Sequence, residues 1–86
     1  MIGWMASSKA GHDKGKVYII IEETEEYVYL SDGVIRPLEK PKKKKIKHIQ
    51  PIKKMIDEEL TKKLLAKEIV RNEEIKRAIK LYLKEI

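Results

Sequence analysis

The hydrophobic periodicity of the chain changes once, close to Pro51. Before that residue, short β-branched and aromatic runs are separated by turn residues, which is typical of β-strands. After it, apolar residues recur every three to four positions, which is the spacing of an amphipathic helix. The pattern predicts a mainly β region over residues 1–52, followed by a helical C-terminal tail over residues 53–86.

Five short strands are predicted in the β region. The dipeptide Asp32-Gly33 is a strong tight-turn signal. Pro37 lies in the strand that follows this turn and restricts that strand to an edge or a bulge. Pro51 is expected to end strand pairing. The predicted strands cover residues 2–7, 17–21, 27–30, 34–38 and 46–49. Five strands of this length, separated by turn signals, indicate a small β-barrel.

The strand over residues 17–21 is apolar on both faces, so its register is ambiguous. We expect its odd-numbered residues to face inward: Val17, Ile19 and Ile21. In the next strand, a period of two places Tyr27 and Tyr29 on one face. These tyrosines could stack on unpaired bases, but we expect them instead to cover an edge of the core or to pack under an appended helix.

The tail is predicted to form helices over residues 57–68 and 73–85. Asp57 and Asn72 are suitable N-cap residues for the two helices. The link over residues 69–71 has no glycine or proline, which leaves a single bent helix as an alternative. The second helix presents an apolar stripe that we expect to pack on the barrel, although docking of a partner or dimerisation through the tail stays open.

Composition argues against an enzyme. An 86-residue chain with 42% apolar residues and no phenylalanine has little material for a deep pocket. The absence of cysteine excludes disulfides and thiolate metal sites. His12 and His48 lack further ligands at metal-like spacing, so neither a metal nor another cofactor is expected. The neighbours Ser7, Ser8, His12 and Asp13 have no reason to assemble a catalytic triad.

Positive charge is concentrated in one segment. Residues 36–54 hold nine basic residues and a single acidic one, Glu39, which gives the segment a net charge of +8. Because the whole chain carries +6, the remainder carries −2. Such a local excess favours a polyanionic partner. No signal peptide or membrane-spanning run is recognisable, and a cytoplasmic location is expected.

Two stretches carry a family resemblance. The glycine-punctuated basic stretch SKAGHDKGK over residues 8–16 resembles the KOW motif of ribosomal proteins and some transcription factors. The stretch DGVIRPLEKPKKKKIKHI over residues 32–49 resembles small bacterial KOW-domain proteins that are similar to large-subunit ribosomal proteins of archaea and eukaryotes. The resemblance covers about residues 1–50. It implies a five-stranded SH3-like barrel that binds RNA, here with a lysine-rich loop over residues 39–47.

The candidate interface combines both stretches. In the first, glycines allow a phosphate to approach the backbone closely, and lysines supply charge beside it. The predicted RNA-binding residues are Lys9, Gly11, His12, Lys14, Gly15, Lys16, Arg36, Lys40, Lys42, Lys43, Lys44, Lys45, Lys47 and His48. Ribosomal RNA, in the large subunit or during its assembly, is the expected partner. The alternative is an SH3-like interaction module whose basic loop binds an acidic protein.

Overall fold

The computed structural model describes residues 1–9, 15–52 and 57–85. They form a five-stranded antiparallel sheet followed by two helices, so the predicted order of a β region and a helical tail is confirmed. The strands are β1 (Met5–Ser8), β2 (Val17–Glu23), β3 (Tyr27–Ser31), β4 (Lys42–Lys45) and β5 (Ile49–Ile52), and the helices are α1 (Glu58–Leu65) and α2 (Asn72–Glu85). No helix in these ranges is long and apolar enough to cross a membrane.

The sheet is strongly curled. Its strand order is β4-β3-β2-β1-β5, so β4 and β5 are its two edges. Only a three-residue 3-10 helix, Ile46–His48, connects these edges. Since such a helix spans about 6 Å, the two edges must lie close together. Within the described ranges no strand pairing joins β4 to β5, and the predicted barrel is not closed.

β2 has buried residues on both of its faces, which corrects the expectation that the odd-numbered residues of β2 form the inward face. Tyr18 and Ile20 lie in a cluster on the concave face, together with residues of the other central strands. Ile19 lies in a second cluster on the opposite face, where the two helices cover the sheet. A bulge in β2 at Ile21 shifts the pairing with β3. Sheets covered on both sides lack a simple polar-apolar alternation.

The prediction of a strand over residues 34–38 is wrong, because this segment forms a series of bends. One carboxylate oxygen of Asp32 accepts hydrogen bonds from the backbone N–H groups of Val34 and Arg36, both at 2.9 Å. The Ser31 hydroxyl donates to the Arg36 carbonyl at 2.8 Å. These local bonds occupy backbone groups that a strand ladder would need. They hold the segment as a compact connection between β3 and β4.

The lysine-rich segment predicted as a loop instead contains β4, which pairs with β3. Lys42 and Lys44 lie opposite Leu30 and Val28, and both lysines are half-buried. Their aliphatic stems cover the concave core while the ammonium groups reach its edge. β4 also supplies hydrogen-bond partners to β3, whose outer edge would otherwise be unpaired.

The last strand begins later than predicted. Residues 46–48 form the 3-10 helix, and the strand follows it over Ile49–Ile52. Pro51 lies within β5 opposite Ala6, so the expectation that this proline ends pairing is wrong. β5 is an edge strand, and a proline is tolerated there because its missing N–H leaves no ladder bond broken on the open side.

The helical tail forms two helices and not one bent helix. Asp57 caps α1 as predicted, because its side chain accepts from the Leu60 N–H at 3.1 Å. α1 ends at Leu65, before the predicted residue 68, and Lys67 adopts a positive φ of 57° just beyond it. Asn72 is the first residue of α2, and its side chain accepts from the Leu38 N–H at 2.8 Å. It therefore anchors the β3–β4 connection to the helix, a role that differs from the predicted N-cap.

Candidate nucleic-acid interface

The described part of the chain contains eleven of the fourteen predicted RNA-binding residues. Gly11, His12 and Lys14 lie outside it, so their predicted role stays a prediction. The eleven occupy the end of β1, the start of β2, the β3–β4 connection, β4 and the 3-10 helix: Lys9, Gly15, Lys16, Arg36, Lys40, Lys42, Lys43, Lys44, Lys45, Lys47 and His48. Lys42 and Lys44 are half-buried, and the others are exposed.

The two basic stretches of the sequence meet at one end of the sheet. The Lys9 N–H donates to the His48 carbonyl at 3.1 Å, which places Lys9 beside the 3-10 helix. The Lys44 ammonium donates to the Ser8 hydroxyl at 2.5 Å, across the concave face from β4 to β1. Lys47 is exposed on the same 3-10 helix. Positive groups that are far apart in sequence therefore share one surface, which we call the basic end.

Lys16 extends the basic end toward β2. It directly precedes Val17, which pairs with Ser7 at the same end of the sheet as Ser8 and Lys9. Gly15 has a φ of +87°, which a glycine adopts without strain. Apart from its chain neighbours, no atom of the described residues lies within 4 Å of where a Cβ would be placed.

β4 divides its four lysines between the two faces of the sheet. Lys43 and Lys45 are exposed on the face opposite the concave core, where they lie across from Tyr29 and Tyr27. Lys42 and Lys44 face the concave side. Burial lowers the pKa of Lys42, and the neighbouring charge of Lys44 lowers it further. Crowding of positive charge of this kind is relieved when an anion binds.

Arg36 and Lys40 lie on the β3–β4 connection. The backbone of Arg36 is held by Asp32, as described above. Burial raises the pKa of the Tyr18 phenol, the charge of Asp32 raises it further, and the charge of Arg36 opposes both effects.

Acidic residues border the interface on one side, which the sequence interpretation did not anticipate. Glu25 and Glu26, at the tip of the β2–β3 hairpin, line a cleft of about 460 Å³ with Lys45, Ile46 and Lys47. The Ile46 N–H donates to the Glu26 carbonyl at 2.9 Å, which fixes this contact. Negative charge at the hairpin tip repels a polyanion. A bound polyanion is therefore directed from this tip toward the basic end.

Two ion pairs lie outside the interface in the described ranges. The ion pairs there join the N-terminal amine to Glu23 and Lys63 to Glu74, at 2.8 Å and 2.7 Å. Neither pair involves a residue of the interface. Among the same residues, no three histidine or carboxylate side chains are grouped as they would be in a metal site. The arrangement is suited to binding a multivalent anion by charge.

Two contacts of this surface were missed by sequence reasoning. The hydroxyl of Ser8 holds the Lys44 ammonium, and no local pattern indicates a contact between residues so distant in sequence. Tyr27 lies beneath Lys43, whose ammonium is 4.3 Å from the ring centroid. This second contact follows from strand alternation once residues 42–45 are recognised as a strand.

Comparisons with known proteins find no matching family model and no significantly similar curated protein.

Proposed function

We propose that the protein binds RNA through phosphate contacts at the basic end, with ribosomal RNA or a large-subunit assembly intermediate as its target. The observation that carries this proposal is the convergence of Lys9, Lys44, Lys47 and His48 on one surface. Lysines attract a phosphate backbone, and such contacts position a protein without reading base sequence.

We also propose that the sheet belongs to the SH3-like class of small barrels and is of the KOW type. Strands β1 to β4 are neighbours in sequence order and form a meander, and β5 returns to pair with β1. The short 3-10 helix between β4 and β5 and the close approach of the two edges support this interpretation. The barrel class explains why loops and strand ends at one end of the sheet carry the contacts with RNA.

Salt dependence provides the first test of this function. If the basic residues neutralise about five to eight phosphates, the slope of log affinity against log salt is about −4 to −7 for a duplex-like RNA. Fluorescence anisotropy with a labelled ribosomal RNA hairpin, measured between about 50 and 200 mM salt, gives this slope directly. An affinity that does not change with salt would contradict the proposal.

Crosslinking in cells identifies the RNA. Ultraviolet irradiation, followed by sequencing of the attached RNA and mapping of the crosslinked peptides, should yield reads concentrated at one site in large-subunit RNA. The peptides should come from residues 9–16 or 36–48. Reads spread across many unrelated transcripts would contradict the ribosomal target while leaving RNA binding in place.

A second candidate function, binding of an acidic protein segment, is favoured by a groove between the β3–β4 connection and α2. Its volume is about 580 Å³. Val34 and Leu83 supply exposed apolar surface. Three basic residues, Lys76, Arg77 and Lys80, outnumber the two acidic ones, Asp32 and Glu73, in its lining. An acidic segment with apolar side chains complements the basic majority of this lining. Nuclease treatment of the purified native complex should leave a protein partner bound, whereas it releases an RNA-linked one.

A further inference from the structure

We propose that Tyr27, Tyr29, Lys43 and Lys45 form a platform that binds unpaired nucleobases of the RNA. This inference rests on the proposed RNA binding and assigns it a second contact surface, on the opposite face of the sheet from the concave core. The platform selects single-stranded segments, whereas the basic end holds phosphates of any RNA.

The platform follows from strand register. Tyr27 lies opposite Lys45 and Tyr29 opposite Lys43, so two aromatic rings and two ammonium groups occupy one face of neighbouring strands. Residues two apart on an antiparallel strand are separated by about 7 Å along the strand. Successive unstacked bases of a single strand can therefore rest on the two rings in turn. Sheet-surface aromatic residues bind two or three bases in this way in other RNA-binding domains.

The two tyrosines have no role in the core clusters that would explain them. Tyr18 and Tyr82 are buried, one in each cluster. Tyr27 and Tyr29 are half-buried, and neither is part of a cluster formed by the described residues. The expectation that they cover an edge of the core stays a prediction. Partly exposed aromatic rings beside positive charge are a common feature of surfaces that bind single-stranded nucleic acid.

Charge sets the orientation of a bound strand. The Lys43 ammonium stands 4.3 Å from the centroid of the Tyr27 ring, so a cation already occupies the site where a base would stack. Lys43 is exposed and flexible, and its ammonium can move to the adjacent phosphate when a base covers the ring. On the other side, Glu22 lies opposite Tyr29. The phosphates therefore lie toward β4 and the bases toward β3.

The test compares two RNAs and two double variants. The probes are an unstructured RNA of about eight nucleotides, which suits one small binding domain, and a blunt RNA duplex with a similar number of phosphates. Replacing both tyrosines by leucine (Y27L/Y29L) keeps apolar side chains on β3 but removes the rings. We expect at least about tenfold weaker binding of the single strand and nearly unchanged binding of the duplex. The variant Y27F/Y29F keeps the rings and should bind both probes as the wild type does.

The outcomes separate the two proposals. Equal loss for both RNAs, or no loss for either, overturns the platform, whereas failure of the wild type to bind either RNA overturns the proposed function itself. A second measurement needs no variant: an eight-nucleotide RNA containing 4-thiouridine is photocrosslinked to the wild-type protein, and the modified residues are mapped. Crosslinks at Tyr27 or Tyr29 support the platform, and crosslinks confined to the basic end overturn it.

Discussion

Removing the charge of the four β4 lysines tests whether the position of positive charge, and not its total, governs RNA binding. The perturbation replaces Lys42–Lys45 by glutamine, whose side chain is one bond shorter but uncharged and still a hydrogen-bond donor. Each phosphate contact contributes about 0.9 to the salt slope, so four lost contacts reduce it by about 3.6. A wild-type slope of about −4 to −7 would then become about −0.4 to −3.4.

The same change can be expressed as an affinity ratio. Between about 50 and 200 mM salt, a slope smaller by 3.6 reduces the salt-induced loss of affinity by a factor of about 150. This factor of about 150 is an upper limit, because it counts all four lysines as phosphate contacts. Lys43 and Lys45 are exposed, whereas Lys42 and Lys44 are half-buried and face the concave side. The double variant of the two exposed lysines alone should reduce the slope by about 1.8.

The control is a second quadruple variant with the same change in net charge. Lys62, Lys76, Lys80 and Lys84 are exposed on the helices, away from the basic end, and are likewise replaced by glutamine. Fluorescence anisotropy of both variants is recorded with one RNA across the salt series. The reasoning is refuted if the two variants reduce the slope equally, since total charge and not the β4 surface would then control binding.

Three predictions concern stability and are checked by urea or thermal unfolding. Gly33→Ala should destabilise the protein by about 1–3 kcal/mol, because Gly33 has a φ of +77° and a Cβ there would lie 2.5 Å from a carbonyl oxygen of α2. Gly15→Ala, at a φ of +87° but with no such close contact to the described residues, should cost less. Ile19→Ala should cost about 2–5 kcal/mol, since this side chain is fully buried beneath the helices. The hydrogen bond from Lys63 lowers the pKa of Glu74, so the stability that this carboxylate contributes is present above its usual pKa of 4.5 and is lost as pH falls below it.

Each of these predictions has an outcome that contradicts it. Equal costs for the two glycine variants would show that the close contact with α2 is relieved by movement of the helix. A cost below about 1 kcal/mol for the isoleucine variant would show that the helices do not hold the sheet in solution. For Glu74→Gln, the difference in Tm from the wild type should shrink between pH 6 and pH 3; a constant difference would show that the ion pair with Lys63 contributes nothing.

The elements that sequence reasoning located correctly are those with a local signal. β2 and β3 are runs of β-branched and aromatic residues, and α1 begins directly after a capping aspartate. The break between the helices was left open, because no glycine or proline marks it. Lys67 takes the left-handed conformation there, at a cost that the sequence does not reveal.

The elements that were missed depend on distant partners or on competing local bonds. β4 is four identical charged residues, so the alternation that identifies a strand is invisible in its sequence, and only its pairing with β3 defines it. The bends after β3 arise from hydrogen bonds of Ser31 and Asp32 that replace a strand ladder. For the interface, charge indicated the relevant segment, but the meeting of Lys9 with the 3-10 helix depends on the curl of the sheet.

The edge position of β4 has a further consequence, for the behaviour of the protein at high concentration. One side of this strand pairs with β3, and the other is open among the described residues. An open edge is a template on which another strand, from a second copy, can add. Two such edges approaching each other would bring eight lysines together, and their repulsion opposes this pairing. The lysines proposed to hold RNA therefore also keep the free protein from aggregating through its sheet edge.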